Sequence, residues 1–280
     1  MRNPGLKAHW HLAPSHNRET TALLSAVEQA VEAGEGAFRT YLSEPHRGAW
    51  WGRLALEDGD LFVKARRPKH PRQRWASLLL PRGLTTEWRQ SLWYQARGLP
   101  CADPVALGEY RSFGMLDLSV VVFRWVPHSR SLADAATAAD QPTRHRLIQE
   151  TGTLLGNLFR QGVIHRQPHP RNILCVPDLE TGLEMLMPID LQHLWISSEL
   201  SDNDFLWALD QVSFWLHDPV IDWSDRVASC LFYRAAIDAA ETHLQDTQRI
   251  RNLSLPLIER GRTATKLHRH EWQPDINGSR

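Results

Sequence analysis

The chain has 280 residues, 42% of them hydrophobic and 23% charged, which suits a folded domain of one or two lobes and excludes a disordered protein. Its 32 basic residues balance its 32 acidic ones, so a net charge of +0 offers no global attraction to nucleic acid. Three cysteines, Cys101, Cys175 and Cys230, are too few for a disulfide scaffold and point to a reducing compartment. No secretion signal opens the sequence. Its longest apolar run, LSVVVF, is far short of the roughly 20 residues that span a bilayer. The expectation is a soluble, cytoplasmic protein.

In chain order, ETTALLSAVEQAVEA (19–33) spaces Leu23, Leu24, Val27 and Val31 as a helix does, with Gly34 as its stop. Strand-like runs follow at AFRTYL (37–42), WWGRLAL (50–56) and LFVKA (61–65), the last two joined by the hairpin pair Asp58-Gly59. Next come the basic segment KARRPKHPRQR (64–74) and WASLLL. A helix from about Glu87 to Arg97, capped by Thr85-Thr86, leads into two more strands, PVALGEY and LDLSVVVFRWV. Beyond Ser131 the pattern turns helical: 144–162 carries Leu147, Thr151, Leu154, Leu155 and Leu158 on one face. A loop, HRQPHPRN (165–172), then precedes the strands ILCV and EMLMPID. Further helices are predicted over 203–217 and 224–245, with Trp207, Trp215 and Trp223 read as helix-core residues. The division expected is an N-terminal helical extension (1–36), a sheet-rich lobe (37–126), a helical lobe (127–260) and a polar tail (261–280).

Lysine occurs only at positions 7, 64, 69 and 266, so a lysine in an apolar strand is informative. Lys64 ends such a strand and Glu87 opens the next helix. An ion pair between them would hold the lysine against phosphate oxygens. The plain alternative is a snorkelling lysine and a glutamate that favours its helix dipole. Asn172 in the loop and Asp190 at the following strand end are oxygen donors suited to Mg²⁺. The histidines of the tail read as a solvated charged end. Asp210, with Asp204 as its rival, is a candidate brace for the loop.

In this order the motifs resemble the bacterial lipopolysaccharide-core kinase family (Kdo/WaaP and InaA-type) within the protein-kinase-like superfamily. The resemblance runs from about Arg39 to Tyr233. EPHRGAW (44–50) is similar to the family's first hairpin loop, LFVKA to its nucleotide-lysine strand, and TEWRQSLWYQARGLPCADPVALGE (86–109) to its glutamate helix. TGTLLGNLFRQGVIHRQPHPRNIL (151–174) resembles the helix and catalytic loop, and PIDLQHLWI (188–196) the metal-binding strand end. The resemblance implies a two-lobed α+β kinase fold that uses ATP and Mg²⁺. Lys64 and Glu87 would serve the nucleotide, Asn172 and Asp190 the metal, and His165 would open the catalytic loop. VFRWV (122–126) would face adenine by its backbone. The acceptor implied is a heptose or Kdo of the lipopolysaccharide core.

One position departs from the pattern. The family's loop reads His-x-Asp-x-x-x-x-Asn, and the aspartate's place is taken by Gln167, whose amide is neither basic nor charged. A positioned base contributes about 10²–10⁴-fold in rate, while phosphoryl transfer rests mainly on positioning and charge. His169 is a possible surrogate base. Three readings follow: a core-sugar kinase in which Gln167 orients the hydroxyl, a pseudokinase working beside other core-assembly kinases, and a small-molecule phosphotransferase of the antibiotic-kinase kind. The last suits a cationic substrate, against which the basic segment argues. In residues 64–80, Arg66, Arg67, Lys69, Arg72 and Arg74 could hold anionic sugar phosphates or contact the cytoplasmic face of the inner membrane with WASLLL in the interface; the plain alternative is a solvated insertion whose Trp75 and Leu78–Leu80 pack on the sheet.

Overall fold

The computed structural model describes residues 8–16, 20–33, 49–57, 59–68, 70–79, 84–178, 184–216 and 226–254. The strand expected at 37–42, Asp58, Lys69, Trp223 and the tail lie outside them, as do the side chains of 211–216. The chain divides into two compact units, one of residues 1–127 with 189–192, the other of 128–188 with 193–280.

The first unit is built on a five-stranded antiparallel sheet in the order β1-β4-β5-β3-β2. Its strands are β1 (Ala8–Leu12), β2 (Ala49–Leu54), β3 (Leu61–Arg66), β4 (Pro104–Ser112) and β5 (Met115–Arg124). The helices are α1 (Thr20–Ala33), α2 (Pro71–Ala76) and α3 (Leu84–Gln95). β1 was not evident in the sequence, because the alternating AHWHL is too polar to stand out; as an edge strand it buries only one side, pairing Trp10 with Gly108. Alternation along β3 decides the site. Leu61, Val63 and Ala65 pack with Val27, Ala30 and Val31 of α1, while Phe62 joins Leu84, Trp88 and Leu92 of α3 in a separate cluster. A two-residue period therefore puts Lys64 on the α3 side. Thr85 does not cap α3: the helix starts at Leu84, and the Thr85 hydroxyl donates to Glu109 Oε1 at 2.9 Å.

The second unit holds α4 (Leu132–Ala138), α5 (Gln141–Arg160), α6 (Asp202–Leu216) and α7 (Arg226–Ala240). Two small antiparallel sheets accompany them. One is β6 (Arg130–Ser131), β8 (Ile173–Pro177) and β9 (Glu184–Pro188); the other pairs β7 (Val163–His165) with β10 (Leu194–Ile196). Asp140 caps α5 by accepting from Thr143 N. Leu147, Thr151 and Leu158 are buried along α5, and its core continues through Phe205, Leu209, Phe232 and Ile237. Trp207 is 41% exposed, contrary to its reading as a core residue: Phe205 and Leu209, four apart, occupy the buried stripe of α6, and position 207 falls halfway round.

α5 and α7 approach closely because α5 carries glycine at two contact points. A Cβ on Gly152 would stand 2.3 Å from Phe232 O, and one on Gly156 2.2 Å from Ala236 O. Gly152→Ala and Gly156→Ala should each cost about 1–3 kcal/mol through forced separation of the helices, read as a lower urea midpoint with an unchanged slope.

Candidate functional site

α3 buries Leu84, Glu87, Trp88, Ser91 and Tyr94, a helical stripe in which a carboxylate takes an apolar position. Glu87 is 4% exposed. A buried carboxylate is costly unless paired, and its partner comes from β3: Lys64 Nζ donates to Glu87 Oε2 at 2.8 Å. The same ammonium donates to Asp190 Oδ1 at 2.5 Å. Lys64 is thus held between two carboxylates, all three within the first unit.

Asp190 sits at φ 58, in the left-handed region that a non-glycine residue enters at a cost. Its carboxylate is braced further: Gln192 Nε2 donates to Asp190 Oδ1 at 2.9 Å, and Arg66 donates to Gln192 Oε1 at 3.1 Å. Arg66 follows Lys64 by two and lies on the same face of β3. The sequence singles out Arg66 only as part of the basic segment 64–74, and the structure instead turns it to Gln192; Gln192 itself had no local signal.

Burial works against the Lys64 charge, but the Glu87 and Asp190 carboxylates outweigh it and hold its pKa above the usual 10.5. Burial pushes the Glu87 carboxyl above its usual range, and Lys64 draws it part of the way back. The group forms a compact cation-centred cluster able to present one ammonium and one carboxylate to a polyanion with its metal.

In the second unit, His165 ends β7 and is 3% exposed among Phe159, Ile164, Phe205 and Leu209. Its Nδ1 accepts from Gln167 N at 3.2 Å. Gln167 itself is exposed. Its backbone carbonyl is the hub of the loop, accepting from His169 N at 2.8 Å and from Asn172 Nδ2 at 3.3 Å. Asn172 thereby commits its amide NH₂ to the loop and keeps Oδ1 as an oxygen donor. His169 Nδ1 accepts from Arg171 N at 3.0 Å, so the lone pair of the neutral ring is used within the loop. Arg166 lies over the Trp195 ring, 5.5 Å from its centroid. Asp204 closes a capping box with Ser201 at the start of α6 rather than reaching elsewhere. Asp202, unnoticed in the sequence, is buried and accepts from the backbone N–H groups of Gln245 and Asp246. Lys64, Glu87 and Asp190 are therefore brought together in one unit, and His165, Gln167, His169 and Asn172 in the other. No group of three or more His, Cys, Asp or Glu that could hold a metal occurs among the described residues. None of their helices is long and apolar enough to cross a membrane.

The model of the lipopolysaccharide kinase (Kdo/WaaP) family matches residues 37–195. No curated protein matches the chain. Among solved structures, WaaP in complex with acyl carrier protein is similar with a TM-score of 0.62 and 17% identity over 92% of this chain and 98% of that one. The Rio2 kinase–ADP/Mg²⁺–phosphoaspartate complex from Chaetomium thermophilum gives a TM-score of 0.46 and 13% identity over 87% of this chain and 76% of that one. The likeness to WaaP shows a kinase-like fold.

Removing the cation leaves two carboxylates without it, so Lys64→Met should cost about 3–5 kcal/mol. The pH dependence has a definite sign. A raised lysine pKa contributes in full below 10.5, where the unfolded chain also holds the proton, and the contribution fades as pH rises through the folded value. Lys64→Met should flatten the alkaline limb of the stability curve above 10.5, measured by urea unfolding across that range. Burial of Tyr110, which pushes its hydroxyl up to about 12, retains part of that limb in the variant.

Proposed function

The chain belongs to the lipopolysaccharide kinase (Kdo/WaaP) family, and on that premise we propose that it binds ATP with Mg²⁺ and phosphorylates a heptose or Kdo of a lipopolysaccharide core glycolipid. It would work at the cytoplasmic face of the inner membrane. The observation that carries this reading is the buried Lys64 ammonium held at 2.8 Å by Glu87 and 2.5 Å by Asp190. A surface salt bridge has no need of a buried and a half-buried carboxylate on one ammonium, whereas a phosphate-binding lysine must be aimed and kept charged. The donor set suits the metal: Asp190 and the Asn172 amide oxygen are hard oxygen ligands, and Mg²⁺ is commonly held by one or two carboxylates with substrate phosphates and water. Bound Mg²⁺–ATP supplies the transferable phosphoryl group and neutralises its charge.

In this scheme Lys64 binds phosphate oxygens, Glu87 keeps Lys64 aimed, and Asp190 and Asn172 donate to the metal. The segment 37–126 acts as the nucleotide lobe and 127–260 as the acceptor lobe. His165 supports the turn at Gln167, whose amide accepts or donates one hydrogen bond to the acceptor hydroxyl without taking its proton. The His169 lone pair accepts from Arg171 N, which competes with its use as a general base for the acceptor hydroxyl. Transfer then relies on positioning and charge and is slow, by about 10²–10⁴-fold relative to a loop with an aspartate.

The same observation favours a second reading, a pseudokinase that binds nucleotide and regulates core assembly. The two part in one experiment. Mg²⁺–ATP at about 100 times its dissociation constant should stabilise the wild type by roughly 2.7 kcal/mol. Lys64→Met and Asp190→Asn, each against its own ligand-free baseline, should lose that gain. With binding established, transfer to lipopolysaccharide core by the wild type, raised in Gln167→Asp, supports the kinase. Binding without transfer in either protein supports the pseudokinase, and no shift in the wild type sinks both.

A further inference from the structure

The end of the first unit's sheet carries a cluster of large apolar side chains in water. Phe113 is 96% exposed, Leu79 88%, Trp75 64% and Leu78 47%. They come from two places, the α2 turn that ends at residue 79 and the β4–β5 turn. A Cβ on Gly114 would lie 3.2 Å from Leu78 Cδ2, so the two turns touch. Their junction is firmly tied. Arg111 donates to Ser77 O at 3.4 Å and to Gly114 O at 2.6 Å, Leu116 N donates to Ser77 Oγ at 2.9 Å, and Arg74 pairs with Asp117 at 2.6 Å.

Phe113 is the least economical residue for its position. Ser112 pairs with Met115, leaving a two-residue hairpin turn in which Phe113 has φ 51 and Gly114 φ 78. Such turns prefer Asn, Asp or Gly at the first central position. A bulky aromatic there bears left-handed strain and exposes its whole ring to water. Folding alone would choose otherwise.

The segment that carries three of the four tips is basic. From residue 61 to 86 there is no Asp or Glu, in a chain whose net charge is +0. Arg67, His70 and Arg72 of this stretch are exposed beside the apolar tips. The acidic group at the junction, Asp117, is already paired with Arg74, which leaves Arg67, His70 and Arg72 in excess. Apolar side chains on projecting turns with such a basic excess match an anionic lipid surface: the rings and leucines enter the acyl boundary while the arginines meet headgroup phosphates.

We propose that Trp75, Leu78, Leu79 and Phe113 form a membrane-insertion tip that docks the first unit on anionic lipid. This goes beyond the proposed function and is tested without nucleotide or sugar. The full chain is sedimented with sucrose-loaded vesicles of phosphatidylcholine, with and without phosphatidylglycerol. The wild type should pellet with the anionic vesicles and remain in solution with the neutral ones. Leu79→Ser combined with Phe113→Asn should weaken binding at least about tenfold, and Arg72→Gln about fivefold. The double variant should keep or raise its unfolding temperature, since Asn relieves the turn; a merely structural patch would lose stability instead. The proposal is overturned if the wild type ignores anionic vesicles, or if the folded double variant binds them as the wild type does.

Discussion

A single buried cation sets the terms for the first unit. Lys64 stands on a central region of the sheet, between β5 and β2, where its neighbours across the strands are Val121 and Trp51. An ammonium there is tolerated only with carboxylates at hydrogen-bond distance. Glu87 therefore takes a position on the α3 stripe that would otherwise hold a leucine, and this pins α3 to β3. Asp190 accepts a left-handed backbone to bring its carboxylate to the same ammonium, and Gln192 and Arg66 secure it. The segment 189–192 groups with the first unit although the residues on both sides of it group with the second. The contacts that Lys64 and Arg66 make to Asp190 and Gln192 give this grouping a physical cause.

What was readable beforehand follows the strength of each signal. Lys64 was visible because lysine is scarce and the surrounding strand is apolar. Glu87 was visible as the acidic residue opening the next helix, and the family resemblance that joined them is matched by the family model over 37–195. The period-two pattern of β3 and the helical period of α5 were equally plain. By contrast, Trp207 was misread because aromatic content was taken for burial, when the phase of the helix decides it. The cap at Thr85 failed for a related reason: a threonine beside a helix start can be drawn to a tertiary acceptor, here Glu109, instead of its own backbone. The left-handed Asp190, the Gln192 brace and the Asp202 anchor depend on contacts remote in sequence, and no local pattern encodes them.

The two loops that carry the candidate chemistry are held in different ways. The Lys64 cluster is held by its side-chain charges, so a change of charge is a change of structure. The loop 165–172 is held by backbone groups and by the rings of His165 and His169. Its hub is the carbonyl of residue 167, which any residue supplies, and its pins are Asn172 Nδ2 and His169 N. The side chain at 167 takes no part in that frame.

The two groups of residues are therefore under different structural demands. Keeping Lys64 with its two carboxylates is favoured by the fold whether or not phosphate is ever transferred, because removing the cation would leave Glu87 and Asp190 without their partner. Their presence is therefore explained by charge pairing alone and says little about turnover. Position 167 is under no such demand. Aspartate and glutamine fit the loop equally well as backbone, so glutamine there alters the chemistry while leaving the architecture alone. Under the proposed function, an exposed glutamine there suits either a reaction in which orienting the hydroxyl suffices, or a pocket whose bound state matters more than its turnover.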